Sequence, residues 1–158
     1  MTFERTYIAD KINKLLNSAC VFPRVAVRGQ GELDLTPILE DKRNVLISDD
    51  TGGILFGYLG RNKYEAHPQF VKGTPYKDIL AKSQLALNYM FKKTNCESIV
   101  ANSPKPFRHS AFLALKMGFV HNDTLKKAHT FITGKTVDLE QYLLTKDRWG
   151  KRCQQEQC

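Results

Sequence analysis

The chain has 158 residues, of which 42% are hydrophobic and 25% charged, and it carries a formal net charge of +8. These values suit one domain around one core and exclude collagen, coiled coil and wholesale disorder. No apolar run reaches the ~20 residues of a membrane helix, and the charged stretch 1–10 has no signal-peptide core, so a cytoplasmic protein is expected.

In chain order, 6–16 reads as a helix, with Ile8, Ile12, Leu15 and Leu16 at helical spacing and Thr6 as its cap. The stretch 17–43 is harder to assign. Residues 28–32 are loop-like, and 33–39 form a short helix or a turn around Pro37. The period then changes to that of strands. Val45, Leu46 and Ile47 make a short apolar run, and 49–53 is strong turn chemistry. Ile54, Phe56 and Tyr58 alternate with Leu55, Gly57 and Leu59, and a turn at 60–62 leads into a third strand over 63–67. An antiparallel meander is expected here.

Residues 76–93 carry the clearest helical stripe, from Tyr76, Ile79 and Leu80 to Met90 and Phe91. A β-branched run at 97–101 follows, then a helix over 108–117 stopped by Gly118. Strands are expected from Phe119 onward and again at 128–133, and an amphipathic helix at 138–147. The polar, basic tail 150–158 is expected to be loose. Together, 63–101 is a strand–helix–strand unit. It requires one parallel pair inside a mostly antiparallel sheet.

Cys20, Cys96, Cys153 and Cys158 lack CxxC spacing, and His67, His109, His121 and His129 lack ligand spacing. Reduced thiols and no metal are therefore expected. The positive charge favours an anionic partner: nucleic acid, a phosphorylated cofactor or an acidic protein surface. Nucleic acid is disfavoured, because no interleaving of aromatic and basic residues is visible.

The segment 63–119 resembles the GNAT family, the acetyl-CoA-dependent N-acyltransferases. The resemblance rests on the succession of strand 63–67, the loop Lys72-Gly73-Thr74-Pro75-Tyr76, the long helix, strand 99–101, and the helix from Arg108 into Gly118-Phe119. It implies an α/β (α+β) domain over 1–149. The sheet would be mixed and mostly antiparallel, with a central parallel pair and flanking helices. Glu65 and His67 on the strand, the Phe after them, the altered loop and the helix sequence of 86–94 are similar to bacteriophage-encoded GNAT-like proteins.

By this resemblance, the loop before the long helix holds the CoA diphosphate through backbone amides and the helix end. Phe70, Val71, Lys72, Gly73, Thr74, Tyr76 and Lys77 would line it, with Arg108 contacting a phosphate or the adenine side. Pro75 stands where the family has its key glycine, and it has no N–H to give. Lys72 and Lys77 supply charge instead. The alternative is that 73–75 is only a helix-initiating turn.

Acyl transfer needs a base for the amine proton and an acid for the leaving thiolate. The two-residue strand period puts Lys63, Glu65 and His67 on one face, so Glu65 and His67 are the candidate bases. The alternative is a solvent-facing strand surface. The family's asparagine and tyrosine positions on the later helix fall on Phe107 and Ala114, so its usual acid is missing. Two readings follow. One is an acetyl-CoA-dependent N-acyltransferase acting on an amine acceptor. The other is a catalytically inactive GNAT-fold phage protein that binds structural proteins during virion or head assembly.

Overall fold

The structure, a computed structural model, describes residues 2–156. Its elements are β1 (Glu4–Thr6), α1 (Asp10–Leu16), α2 (Phe22–Val25), α3 (Thr36–Glu40), β2 (Val45–Asp49), β3 (Gly52–Gly60) and β4 (Lys63–Phe70). They continue with α4 (Tyr76–Lys93), β5 (Ser98–Pro104), α5 (Arg108–Lys116), β6 (Val120–Thr130), β7 (Thr136–Thr145) and α6 (Lys146–Glu156). The strands form a seven-stranded sheet in the order β1-β2-β3-β4-β5-β7-β6. The β4–β5 pair is parallel, and every other neighbouring pair is antiparallel. Helix α4 is the crossover that a parallel pair demands.

Side-chain alternation divides the sheet into two faces. Ile47, Ile54, Phe56, Tyr64, Ile99 and Leu144 pack with Leu87, Met90 and Phe91 of α4 and Ala114 of α5. Leu46 and Leu55, one residue out of phase, pack with Ile12, Leu16, Val21 and Leu39 in the layer of α1–α3. The β2–β3 turn is fixed by Asp49, whose Oδ1 accepts the Thr51 N–H at 2.8 Å. Gly52 has φ +137°, and a Cβ there would lie 2.3 Å from the Gln69 carbonyl oxygen. The meander, the long helix and the mixed sheet match the sequence reading.

Several elements differ from it. The expected helix over 138–147 is strand β7, and the last helix, α6, starts at Lys146. Leu139, Tyr142 and Leu143 fit a helical stripe, which conceals the strand. The real cause of their pattern is that β7 lies between β5 and β6 and carries apolar groups on both faces, so a clean alternation is lost. The strand readings after Phe119 and at 128–133 merge into β6, whose register shifts at Leu125/His129 beside Lys127 at φ +48°. The helix expected over 6–16 begins at Asp10. Thr6 ends β1 instead, and its Oγ1 accepts the Ile8 N–H at 3.1 Å.

The tail is helical through Glu156, so it is not loose from Gly150; residues 157–158 lie outside the described chain. Trp149, 2% exposed, anchors this helix by stacking on Phe91 at 6.3 Å and donating from Nε1 to Asn88 Oδ1 at 3.2 Å. Cys96 is fully buried, and burial pushes its thiol up to about 12, which leaves it an inert hydrophobe.

Candidate active site

Strands β4 and β5 pair only at Lys63↔Ser98, Tyr64↔Ile99 and Glu65↔Val100. Beyond Glu65 they part. β4 runs on to Phe70 against β3, and β5 runs on to Pro104 against β7. Pro68 lies in the unpaired stretch and has no N–H to extend the ladder. A cavity of about 660 Å³ occupies the opening. Its walls include Glu65, His67 and Asn102, and also Phe56, Ala66 and Tyr142. The first set lies on the α1–α3 face of the sheet and the second on the α4–α5 face. The cavity therefore passes through the sheet where the strands separate.

Glu65 stands at the point where they separate. Its Oε1 accepts from Asn102 Nδ2 at 2.7 Å, Asn102 Oδ1 from Gln141 Nε2 at 3.2 Å, and Gln141 Oε1 from Asn122 Nδ2 at 3.0 Å. Three side-chain amides thus donate in one direction across β6, β7 and β5 and end on the carboxylate. Bonds aligned this way reinforce one another and fix the carboxylate's orientation. His67 shares the face, as the strand period requires, with its Nε2 3.7 Å from Glu65 Oε2. That distance is too long for a hydrogen bond. The second carboxylate oxygen is left facing His67 and the cavity.

On the other face, the loop between β4 and α4 is a tight turn. Thr74 donates from both its N–H (3.1 Å) and its Oγ1 (2.8 Å) to the Val71 carbonyl. Gly73 takes φ +94°, and the space where a Cβ would sit is open. The Val71 N–H is also engaged, donating to the Thr51 carbonyl at 2.9 Å. Phe70 pairs with Gly52 at the end of β4. Pro75 is the N-cap of α4, and no side chain caps the helix. Lys72, Gly73, Tyr76 and Lys77 therefore have N–H groups with no acceptor among the described hydrogen bonds, at the positive end of an 18-residue helix. Tyr76 packs at a tilt against Phe112 of α5, ring centroids 5.9 Å apart. Arg108 lies elsewhere, in a separate shallow hollow with Lys105, Pro106, Val137 and Asp138. Its neighbour His109 lines the cavity instead.

Phe107 and Ala114 both line the cavity, and neither carries an ionisable group. Phe107 packs at a tilt against Phe131, ring centroids 5.4 Å apart, and Ala114 belongs to the core. A phenol nevertheless faces the cavity, that of Tyr142 on β7. Burial raises its pKa, and the nearby Glu140 raises it further, so it holds its proton. Reading β7 as a helix hides both Tyr142 and Gln141, because the faces of a strand follow from its register. Asn102 falls one residue past the expected strand 97–101. Two more polar groups on the wall have no hydrogen-bond partner among the described residues: Ser83 Oγ, on a residue 3% exposed, and His129 Nε2. Burial lowers the His129 pKa, which favours the neutral ring.

No family model matches the chain, and no curated protein matches it by sequence. Solved structures do match. A mutant form of the spermidine N-acetyltransferase SpeG from Vibrio cholerae superposes with a TM-score of 0.75 over 96% of each chain, at 15% identity. The ribosomal-protein-S5-alanine acetyltransferase from Vibrio fischeri gives 0.71 over 89% of each chain, also at 15% identity. A putative acetyltransferase from Acinetobacter baylyi gives 0.72, at 16% identity, over 87% of this chain and 88% of its own. At such identities the likeness is one of architecture, and on it, with the seven-stranded mixed sheet opened at its parallel pair, the chain has the GNAT fold.

Proposed function

We propose that this protein transfers an acyl group, acetyl in the simplest case, from acyl-CoA to the nitrogen of an amine. The observation that carries the reading is the through-sheet opening between β4 and β5 with an oriented carboxylate, Glu65, at its apex. The residues present suit the donor. The amides of Lys72, Gly73, Tyr76 and Lys77, with the Lys72 and Lys77 charges, fit a diphosphate at the head of α4. The unpaired edges of β4 and β5 past Glu65 fit an extended arm rich in amides. A thioester held there supplies an activated acyl carbonyl.

The chain's own residues handle the protons. An amine must lose its proton before it can attack, and Glu65 takes it, directly or through one water. Asn102 holds Glu65 in place for that transfer, with His67 beside it. Tyr142 holds a phenolic proton on the opposite face, where a leaving thiolate needs one. Only the opening of the sheet brings these two groups to one cavity. A role in phage assembly has no observation in its favour.

The test is thermal unfolding with and without acetyl-CoA, followed by thiol release in the presence of mixed amines. Saturation at ~100 times the dissociation constant adds ~2.7 kcal/mol. For a domain of this size that raises Tm by ~2–4 °C or somewhat more. No shift at millimolar acetyl-CoA, together with no thiol release, would overturn the reading.

A further inference from the structure

Resting on the proposed amine acylation, the charge around the cavity narrows the acceptor. Its titratable lining residues are Glu65, Arg24, His67, His109, His129 and Tyr142. Glu65 is the sole carboxylate among them, and one of its oxygens is already held by Asn102. Arg24 belongs to α2, in the α1–α3 layer on the face that presents Glu65. Its side chain is exposed, and its guanidinium has no ion-pair or hydrogen-bond partner among the described residues.

The segment that carries Arg24 is well anchored. The Arg24 N–H donates to the Val21 carbonyl at 2.9 Å, and Val21 is in the core. Two residues on, Ala26 is fully buried, and its carbonyl accepts the Ile132 N–H at 3.2 Å. Val27 forms a bridge with Phe131. A guanidinium carried on an anchored backbone thus shares the cavity wall with a single carboxylate.

We infer that the acceptor amine also carries an anionic group, a carboxylate or a phosphate, which Arg24 holds while the amine faces Glu65. Such a molecule matches both charges of the cavity: its amine meets Glu65 and its anion meets the planar donor fork of Arg24. A polyamine does not fit. Each ammonium beyond the reacting one needs a carboxylate, and the lining offers none, while Arg24 repels it. In this respect the cavity is unsuited to the acceptor named for the spermidine N-acetyltransferase that shares its fold.

The experiment compares four acceptors with acetyl-CoA as donor: glycine, O-phosphoethanolamine, propylamine and spermidine. Each is tested with the full chain, Arg24→Ala and Arg24→Glu. Wild type should favour glycine or O-phosphoethanolamine, and which of the two is favoured tells carboxylate from phosphate. Arg24→Ala should raise the KM of the anionic acceptor, relative to propylamine, roughly ten- to hundred-fold, the range of a hydrogen bond to a charged group. Arg24→Glu should shift the preference towards spermidine. A wild-type preference for spermidine or propylamine, or an unchanged ratio in Arg24→Ala, would overturn the inference while leaving acyl transfer standing. If no amine is acylated, thermal shifts with the same four compounds decide. A shift with an anionic amine that vanishes in Arg24→Ala keeps the inference and sinks the transferase reading. No shift overturns both.

Discussion

The Glu65 side of the cavity and the loop before α4, whose residues do not line the cavity, are built differently. On the α1–α3 side, Glu65 ends an unbroken line of amide hydrogen bonds that crosses three other strands. On the α4 side, the loop before the helix uses the Val71 and Thr74 amides for its own turn and has no N–H at Pro75. Phe107, at the head of α5, and Ala114 within it carry no ionisable group. The proton-handling groups proposed above are thus fixed by the sheet, and the proposed anion-binding groups rest on one helix end and two exposed lysines. Substitutions on the first side should act on turnover, and those on the second on binding.

Glu65→Gln should break the contrast most strongly. Glutamine keeps the shape and still offers an oxygen to Asn102 Nδ2, so the fold is retained, but the base is gone. The expected loss in kcat/KM is about 10²- to 10⁴-fold, the usual contribution of a positioned base. Acetyl-CoA binding, followed by thermal shift, should persist. Full turnover in this variant would remove Glu65 from the chemistry.

The second test loosens the support of the α4 side. Lys82 on α4 pairs with Asp49 at 2.5 Å, with side chains 17% and 8% exposed, and also contacts Thr51. Thr51 in turn receives the Val71 N–H, so this pair ties the helix to the loop. Burial pushes the Asp49 pKa up, but hydrogen bonds from Lys82 and Thr51 outweigh it and leave the pKa lowered. A carboxylate lowered on folding contributes stability that is present above its unfolded value, ~3.9, and is lost as pH falls through the folded one. Asp49→Asn should cost about 1.5–3 kcal/mol at neutral pH, as for hydrogen bonds to a charged group. The Tm gap between wild type and variant should close below about pH 4. A gap that does not change with pH would mean the cost is only one of packing.

Much of this molecule can be read from the sequence where a single period rules. The meander alternates cleanly because its two faces meet different neighbours, and Tyr76–Lys93 shows one stripe because it has one buried side. Glu65 and His67 follow from strand parity alone. The sequence is least informative at β7, where apolar residues lie on both faces, and at β6, where a bulge splits one strand into two readings. Both errors are local, yet they remove Tyr142, Gln141 and the amide relay from view. The relay joins residues 37 and 39 positions apart, and no local pattern encodes such contacts. Arg24 is missed for the same reason, since its place on the wall depends on how 26–28 docks on 130–132.

Asn102→Ala tests the relay itself. It cuts the last hydrogen bond to Glu65 and leaves the carboxylate free to rotate. About a tenfold fall in kcat is expected, the size of one hydrogen bond to a charged group at its low end. The KM for acetyl-CoA should hold if, as proposed, the head of α4 supplies most of the donor's grip. A rise in that KM with kcat intact would place Asn102 on the donor arm and blur the division between the two regions.

The smallest effect, and the sharpest on the comparison, is expected from Pro75→Gly. Residue 75 has φ −57° and ψ 137°, which glycine adopts without strain, and glycine is tolerated at an N-cap. The exchange restores an N–H at the head of α4 and frees the unfolded chain, at a cost of about 0.4–1 kcal/mol in stability. Ligand-free protein should therefore melt slightly lower. One added amide bond to a diphosphate should tighten acetyl-CoA binding about two- to tenfold, which isothermal titration measures. If affinity rises, the missing amide is what weakens this loop, and the loop is a diphosphate cradle short of one donor. If affinity stays level while the melting point falls, the anion is held by the charges of Lys72 and Lys77. Binding should then weaken steeply with salt, because both lysines are exposed and screened.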